Sequence, residues 1–140
     1  MPDVPTGDRM PDDGLFVAQL NVAQALYELD DPRMASYLSL IEEVNAAADR
    51  AAGFVWRLKD GSGKLNVGRS SREIVNLSVW RSLDDLRDFV HGEIHGHALR
   101  KRSKWFIRLP SPYSVVWSIP LGRLPTLQEG LKRLAAPQHE

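Results

Sequence analysis

Ile74-Val75-Asn76-Leu77-Ser78-Val79-Trp80 reads as one β-strand whose two faces differ. Side chains alternate across a strand, so Val75, Leu77 and Val79 share one face while Ile74, Asn76, Ser78 and Trp80 share the other. The first is a core face. The second places two hydrogen-bonding groups between two apolar ones, which suits a cavity wall better than open solvent. The opening strand, from about Leu15 to Val22, repeats the pattern: Phe16, Ala18, Leu20 and Val22 lie on one side, Gln19 and Asn21 on the other. Two such strands predict a sheet covered by helices and curled over a small-molecule pocket.

The neighbouring segments supply the helices. Asp31-Pro32 is an N-cap followed by proline at the first helical position. Met34, Leu38, Ile41, Asn45 and Ala48 then recur at helical spacing, and Gly53 stands where a helix closes with a left-handed residue. Phe54–Lys59 reads as a second strand, with Phe54, Trp56 and Leu58 alternating against Val55, Arg57 and Lys59. Asp60-Gly61-Ser62-Gly63 makes a turn that opens a long hairpin loop to Arg72. After the decisive strand, Ser82-Leu83-Asp84-Asp85 is close to a capping box. It opens a helix expected to run to about Trp105, with Leu83, Leu86, Val90, Ile94 and His97 in one stripe. Pro110 and Pro112 precede a last strand, Tyr113–Ile119, and Thr126-Leu127-Gln128-Glu129 caps a short helix through Leu134.

The order is strand, helix, strand, strand, helix, strand, with a small helix appended. This predicts an α+β fold: a split βαβ, ferredoxin-like unit with an antiparallel sheet. Residues 1–14, rich in proline, aspartate and glycine, are expected to form a flexible tail, and residues 15–136 a single domain. Two helices leave one sheet face bare. A bare face carrying Trp56, Trp80 and Trp117 is costly at ~25 cal/mol per Å² of apolar surface. Sheet-to-sheet pairing in a homodimer would bury it. The expected arrangement has helices shielding the Val75–Leu77–Val79 face, with a twin subunit closing the amide-lined hollow.

Composition excludes several functions. Lysine plus arginine balances aspartate plus glutamate, 18 against 18, so no overall field attracts nucleic acid or anionic lipid. Without cysteine there is no disulfide framework, thiolate metal site or cysteine nucleophile. No signal peptide is legible, no apolar run approaches the roughly 20 residues of a membrane span, and a cytoplasmic protein is expected. Glycine-rich phosphate loops and the G-x-S-x-G elbow are absent.

Candidate chemistry centres on histidines and amides. His91 and His95 stand four apart in H-G-E-I-H and share a helix face. They lack a third ligand on that face, since Glu93 and His97 point elsewhere, so no metal site is expected. His95 is the general acid–base candidate, because imidazole titrates near neutrality. Asn21 and Asn76 are the candidates for polarising a substrate oxygen, joined by Gln19 and Ser78 as binding groups. The competing reading is that these four satisfy one another. Trp56, Trp80 and Trp117, together with His91, complete the expected pocket wall. Arg100, Lys101, Arg102, Lys104 and Arg108 form a basic cluster. It reads either as a solvated face or, at Arg100 or Arg102, as a carboxylate or phosphate anchor.

A-Q-L-N-V-A near the start, A-G-F-V-W-R in the middle, I-V-N-L-S-V-W and the later H-x-x-x-L-R-x-R-x-x-W-F resemble the bacterial domain of unknown function 3291. That resemblance implies a dimeric α/β barrel similar to antibiotic-biosynthesis monooxygenases. In the wider superfamily it implies cofactor-free oxidation of polycyclic aromatics, or haem degradation by an asparagine, a tryptophan and an iron-ligating histidine. Asn21 falls at that asparagine, but Phe89 and Leu99 fall where the tryptophan and histidine would be, with His95 one helical turn earlier. Haem degradation is therefore not expected. The favoured expectation is a small-molecule enzyme without a cofactor, monooxygenase-like or a natural-product cyclase or isomerase. The alternative is a non-catalytic dimer binding haem or another small ligand through His91 or His95.

Overall fold

The computed structural model describes residues 15–59, 66–67 (backbone only), 69–92, 96, 100–109 and 113–136. The expected tail, the turn at 60–63, Pro110, Pro112 and residues Glu93, Ile94, His95, His97 and Leu99 lie outside the described residues. The elements are β1 (Leu15–Gln24), α1 (Ala35–Arg50), β2 (Phe54–Arg57), β3 (Asn66–Val67), β4 (Glu73–Trp80), α2 (Leu83–Val90), β5 (Ser114–Pro120) and α3 (Leu127–Ala135). The main sheet runs β2-β4-β1-β5, all antiparallel, and the two-residue β3 pairs with the start of β4. This is the ferredoxin-like arrangement expected from the order of elements.

The helix starts follow their capping residues. Asp31 Oδ1 accepts the Arg33 backbone N–H at 2.8 Å, opening a short 3-10 turn, Pro32–Met34, that feeds α1. Ser82 Oγ accepts from the Asp85 N–H at 3.1 Å, and Thr126 Oγ1 from the Glu129 N–H at 3.0 Å. Gly53 closes α1 at φ 81°, a conformation that favours glycine.

The strand faces fall as the alternation demands, but the helices choose the opposite side. The apolar face of Ala18, Leu20, Val22, Val75, Leu77 and Val79 packs with Trp117, Ile119 and the α3 residues Leu127, Leu131 and Leu134. Helices α1 and α2 lie over the amide face. The reason is in its two ends. Ile74 joins Met34, Tyr37, Ile41 and Val44 of the first helical segment, while Trp80 joins Ala48 of α1 and Leu86 of α2. Each anchor is 1% exposed. Between these anchors Asn76 and Ser78 offer the helices nothing apolar to pack on, so the layers enclose a space there. The hollow is roofed by the chain's own helices, not by a twin subunit.

Three further expectations are corrected. The second helix breaks at Val90, where the His91 N–H bonds back to the Arg87 carbonyl and the chain bends at Gly92. Beyond the break Gly96 and Arg100 are again helical, with the Gly96 N–H donating to the Gly92 carbonyl at 2.8 Å. Trp105 instead follows a separate 3-10 turn, Arg102–Lys104. The tryptophans also divide between faces. A register shift in the β2–β4 pairing separates Phe54, opposite Trp80, from Trp56, opposite Val79. The extra residue puts Phe54 and Trp56 on different faces. Trp117 stands opposite Ala18, so it too is on the apolar face. There α3 covers it: Trp117 Nε1 donates to Glu129 Oε2 at 3.1 Å, and a Cβ at Gly130 would stand 3.2 Å from its ring.

Candidate functional site

The sheet and its helices enclose a cavity of about 690 Å³. Its floor is the middle of the amide face: Gln19 and Asn21 from β1, with Asn76, Ser78 and Trp80 from β4. Tyr37, Ile41 and Val44 of α1 form one wall and Leu86, Phe89 and Val90 of α2 another. The mouth is built by the segment after the 3-10 turn. That segment is fastened to the end of β1 by an Ala25–Phe106 bridge and by the Ile107 N–H, which donates to the Gln24 carbonyl at 2.9 Å. The fastening brings Arg102, Trp105, Phe106 and Arg108 to the cavity.

The floor is a ladder of cross-strand pairs. Asn21 stands opposite Asn76 and Gln19 opposite Ser78. Asn76 Nδ2 donates to Asn21 Oδ1 at 3.1 Å. In the second rung Trp80 Nε1 donates to Ser78 Oγ at 3.0 Å, and Ser78 Oγ donates to Gln19 Oε1 at 3.3 Å. These bonds use only part of each amide's capacity. Among the described residues, Asn21 Nδ2, Gln19 Nε2 and Asn76 Oδ1 have no hydrogen-bond partner. The floor therefore offers two N–H donors and one carbonyl acceptor to whatever enters. Holding Asn21 Oδ1 and Gln19 Oε1 in the ladder leaves the donor half of each amide for the cavity.

Aromatic rings shape the remainder. Trp80 stacks on Phe89 at 5.2 Å and meets Phe54 edge-on at 5.5 Å. At the other end Tyr37 touches the rings of Trp105, at 5.4 Å, and Phe106, at 4.9 Å. Trp105 Nε1 is satisfied by Ser36 Oγ at 3.1 Å. The Tyr37 hydroxyl is not satisfied: it is buried with no hydrogen-bond partner among the described residues. Burial pushes its pKa up, so it remains a neutral donor. Tyr37 was absent from the sequence reading, although Met34, Tyr37, Ile41, Val44 and Ala48 repeat at 3-4-3-4 spacing, a cleaner stripe than the expected one.

Of the expected site residues, the fold gathers Asn21, Asn76, Gln19, Ser78, Trp80 and Arg102 around one cavity. Trp56 and Trp117 are on the opposite sheet face and do not line it. His91 is exposed at the end of α2, away from the lining, and His95 lies outside the described residues. No described histidine is therefore placed to ligate a haem iron in the cavity. Among the described residues no cluster of three metal-ligating side chains forms. Arg57 reaches the cavity but bonds to Asp49 through its Nε at 2.9 Å, and this bond holds the Asp49 carboxyl below its ordinary pKa. Among the described residues no helix is long and apolar enough to cross a membrane.

The fold is shared with solved proteins of low identity. Rv0793 from Mycobacterium tuberculosis matches with a TM-score of 0.56 at 13% identity, over 77% of this chain and 97% of that one. SnoaB from Streptomyces nogalater, described as a cofactor-independent oxygenase, matches with a TM-score of 0.52 at 18% identity, over 80% and 96%. A protein of unknown function from Nitrosomonas europaea matches with a TM-score of 0.53 at 9% identity, over 81% and 97%. Likeness at these identities establishes a common architecture, an antiparallel sheet with helices in the ferredoxin-like arrangement, and leaves chemistry to the site. No curated protein matches the sequence. The model of one family, described as Domain of unknown function (DUF3291), matches residues 16–140, and the chain belongs to that family.

Proposed function

We propose that this protein is an enzyme that transforms an aromatic small molecule in its cavity, by cofactor-independent oxygenation. The observation that carries this reading is the floor itself: two unpaired amide N–H donors, Asn21 Nδ2 and Gln19 Nε2, set in an aromatic-walled cavity. Donors fixed in place by the ladder stabilise charge that develops on a substrate oxygen. A phenolic or enolisable polycyclic ketone is the substrate such a site suits. Losing a proton, it becomes an enolate whose oxygen rests on the amides and whose ring packs against Trp80 and Phe89.

The electron-rich carbon of that enolate reduces dioxygen directly. For an anthrone the balance is anthrone plus O2 giving anthraquinone plus water. The ring carbon loses two hydrogens and gains one oxygen atom, and the other oxygen atom leaves as water. The substrate supplies all the electrons. His95 is the proton carrier in this reading, and Tyr37 supplies a neutral donor on the wall beside the mouth aromatics. SnoaB, of the same fold, bears the description of a cofactor-independent oxygenase, which supports the reaction class. A cyclase or isomerase would use the same enolate without oxygen. We further propose a homodimer, for which the exposed Val116, Leu121 and Leu124 provide apolar surface.

The test is oxygen uptake with anthrone in chelator-treated buffer, with native mass spectrometry of the same sample. Uptake matched one-to-one by anthraquinone supports the reaction. Anthrone binding without uptake assigns a carrier or an oxygen-independent enzyme, and no binding removes the reading.

A further inference from the structure

We infer that the substrate of this cavity is an aromatic acid, its carboxylate held at the mouth by Arg102 and Arg108; the inference rests on the cavity reading above. Three arginines, Arg57, Arg102 and Arg108, line the cavity, and no aspartate or glutamate among the described residues lines it. In a chain whose charges balance overall, this is a local concentration of one sign. Arg57 is neutralised by Asp49. Among the described residues, the other two bond no carboxylate.

Arg33, Arg69, Arg72 and Arg123 each bond a carboxylate, from Asp31, Glu73, Glu28 and Glu129 respectively. Among the described residues Arg102 has one weak contact, Nη1 to the Tyr113 hydroxyl at 3.4 Å, and Arg108 has no partner. Tyr113 lines the cavity as well. Both guanidinium groups line the cavity, and their planar forks match a carboxylate. A glycine-rich phosphate loop is absent, and the cavity behind the arginines is aromatic. An aromatic carboxylate satisfies both regions: its acid stays at the mouth, beside Trp105 and Phe106, while its ring lies against Trp80 and Phe89 and a distal oxygen reaches the Asn21–Gln19 donors.

The probe pair is 6-hydroxy-2-naphthoic acid and 2-naphthol, which differ by the carboxylate, titrated by tryptophan quenching. The acid should bind about tenfold or more tightly than the naphthol, as expected for a charge-assisted hydrogen bond. Added salt should shrink that preference, and Arg102→Gln with Arg108→Gln should reduce it to within about threefold. Both side chains are exposed, so the variants should fold. Equal binding of the two probes to the native protein, or a preference that survives in the double variant, overturns the inference and leaves the cavity reading standing. Binding of neither probe overturns both.

Discussion

Asn21 and Asn76 face each other directly across the β1–β4 ladder, and the Asn76 amide donates to Asn21 Oδ1 at 3.1 Å. The bond fixes which half of Asn21 meets the cavity. Its carbonyl is engaged, so its N–H2 remains for a ligand. Asn76 is thus a positioning residue and Asn21 the donor.

A paired substitution separates these roles. Asn21→Ala removes the donor and should lower anthrone turnover by about 10²- to 10³-fold, as loss of an oxyanion donor does elsewhere. Asn76→Asp should do nearly as much, although it keeps the shape. A carboxylate at 76 accepts but does not donate, so Asn21 turns to offer it the N–H2 group and presents a carbonyl to the substrate. Both variants should melt close to the native protein. Asn76→Asp turnover at native level would show that the amide's orientation is irrelevant.

Tyr37 provides a test in which stability and binding move in different directions. Its hydroxyl is buried without a partner among the described residues, while its ring packs on Trp105 and Phe106. Removing an unsatisfied buried hydroxyl sacrifices no hydrogen bond, so Tyr37→Phe should hold or raise stability by up to about 1 kcal/mol. Affinity for an oxygen-bearing ligand should fall about tenfold by the same reasoning. Calorimetry and ligand titration on one preparation read both. A clear loss of stability would mean that the hydroxyl is bonded in the empty protein.

Trp80 and Trp117 sit on opposite faces, so their variants should separate site from scaffold. Trp80 is 1% exposed, stacks on Phe89 and lines the cavity. Trp80→Ala should cost about 3–5 kcal/mol, and Trp80→Phe should fold but bind ligand weakly, since the Ser78 bond goes with the indole. Trp117→Phe should leave ligand affinity unchanged. It breaks the bond to Glu129 and puts a smaller ring in place of the indole under the Arg133 cation, so α3 should become a site of early proteolysis. Weakened ligand binding in Trp117→Phe would reverse the face assignment.

The sequence revealed the faces but not their orientation. Alternation puts Gln19, Asn21, Asn76 and Ser78 on one sheet face, and the strands pair them there, because period two is a local property of the backbone. Which face α1 would cover is not local. Both faces carry apolar residues, and Ile74 and Trp80 outweigh the two polar residues between them. The bulge that moves Trp56 off the Phe54 face is a one-residue event, which alternation cannot register. Tyr37 escaped notice because an aromatic in a helix stripe reads as packing. Only the lack of a partner for its hydroxyl, visible in three dimensions, singles it out. The mouth arginines were legible as a cluster, but their setting depended on the end of α2 at Val90 and the fastening of the following segment to β1.

Gly53 closes the α1–β2 turn at φ 81°, and a Cβ there would fall 2.1 Å from Asp85 Oδ2. Two penalties coincide: a left-handed backbone and a collision with the first turn of α2. The backbone alone should make Gly53→Ala destabilising by about 1–2 kcal/mol, with the collision adding to it. Urea unfolding measures the change. Because Arg81 donates its N–H to the Gly53 carbonyl at 2.8 Å, the strain passes to the link between β4 and α2. A variant as stable as the native protein would mean that the turn relaxes without disturbing either helix.

Acid should unfold the protein through identifiable carboxylates. Glu73 is 8% exposed and accepts the Arg69 backbone N–H at 2.7 Å as well as the Arg69 guanidinium. The guanidinium bond is the main cause that holds its pKa below the ordinary value of 4.5. Asp31, bonded by the Arg33 guanidinium and backbone N–H, is lowered from 3.8 to about 2. A carboxyl whose pKa falls on folding stabilises the native state above its unfolded value and loses that contribution as pH drops through the folded one. Stability should therefore be level at neutral pH and decline from about pH 4.5 towards 2. Glu73→Gln should be less stable than the native protein at pH 7, with the difference narrowing below pH 4.5 as Glu73 protonates. Asp31→Asn should flatten the most acidic part of the curve, because its amide has no proton to gain there. Melting curves recorded across this range test both. Native and Asp31→Asn curves that stay parallel down to pH 2 would show that the Asp31–Arg33 pair contributes nothing to the acid transition.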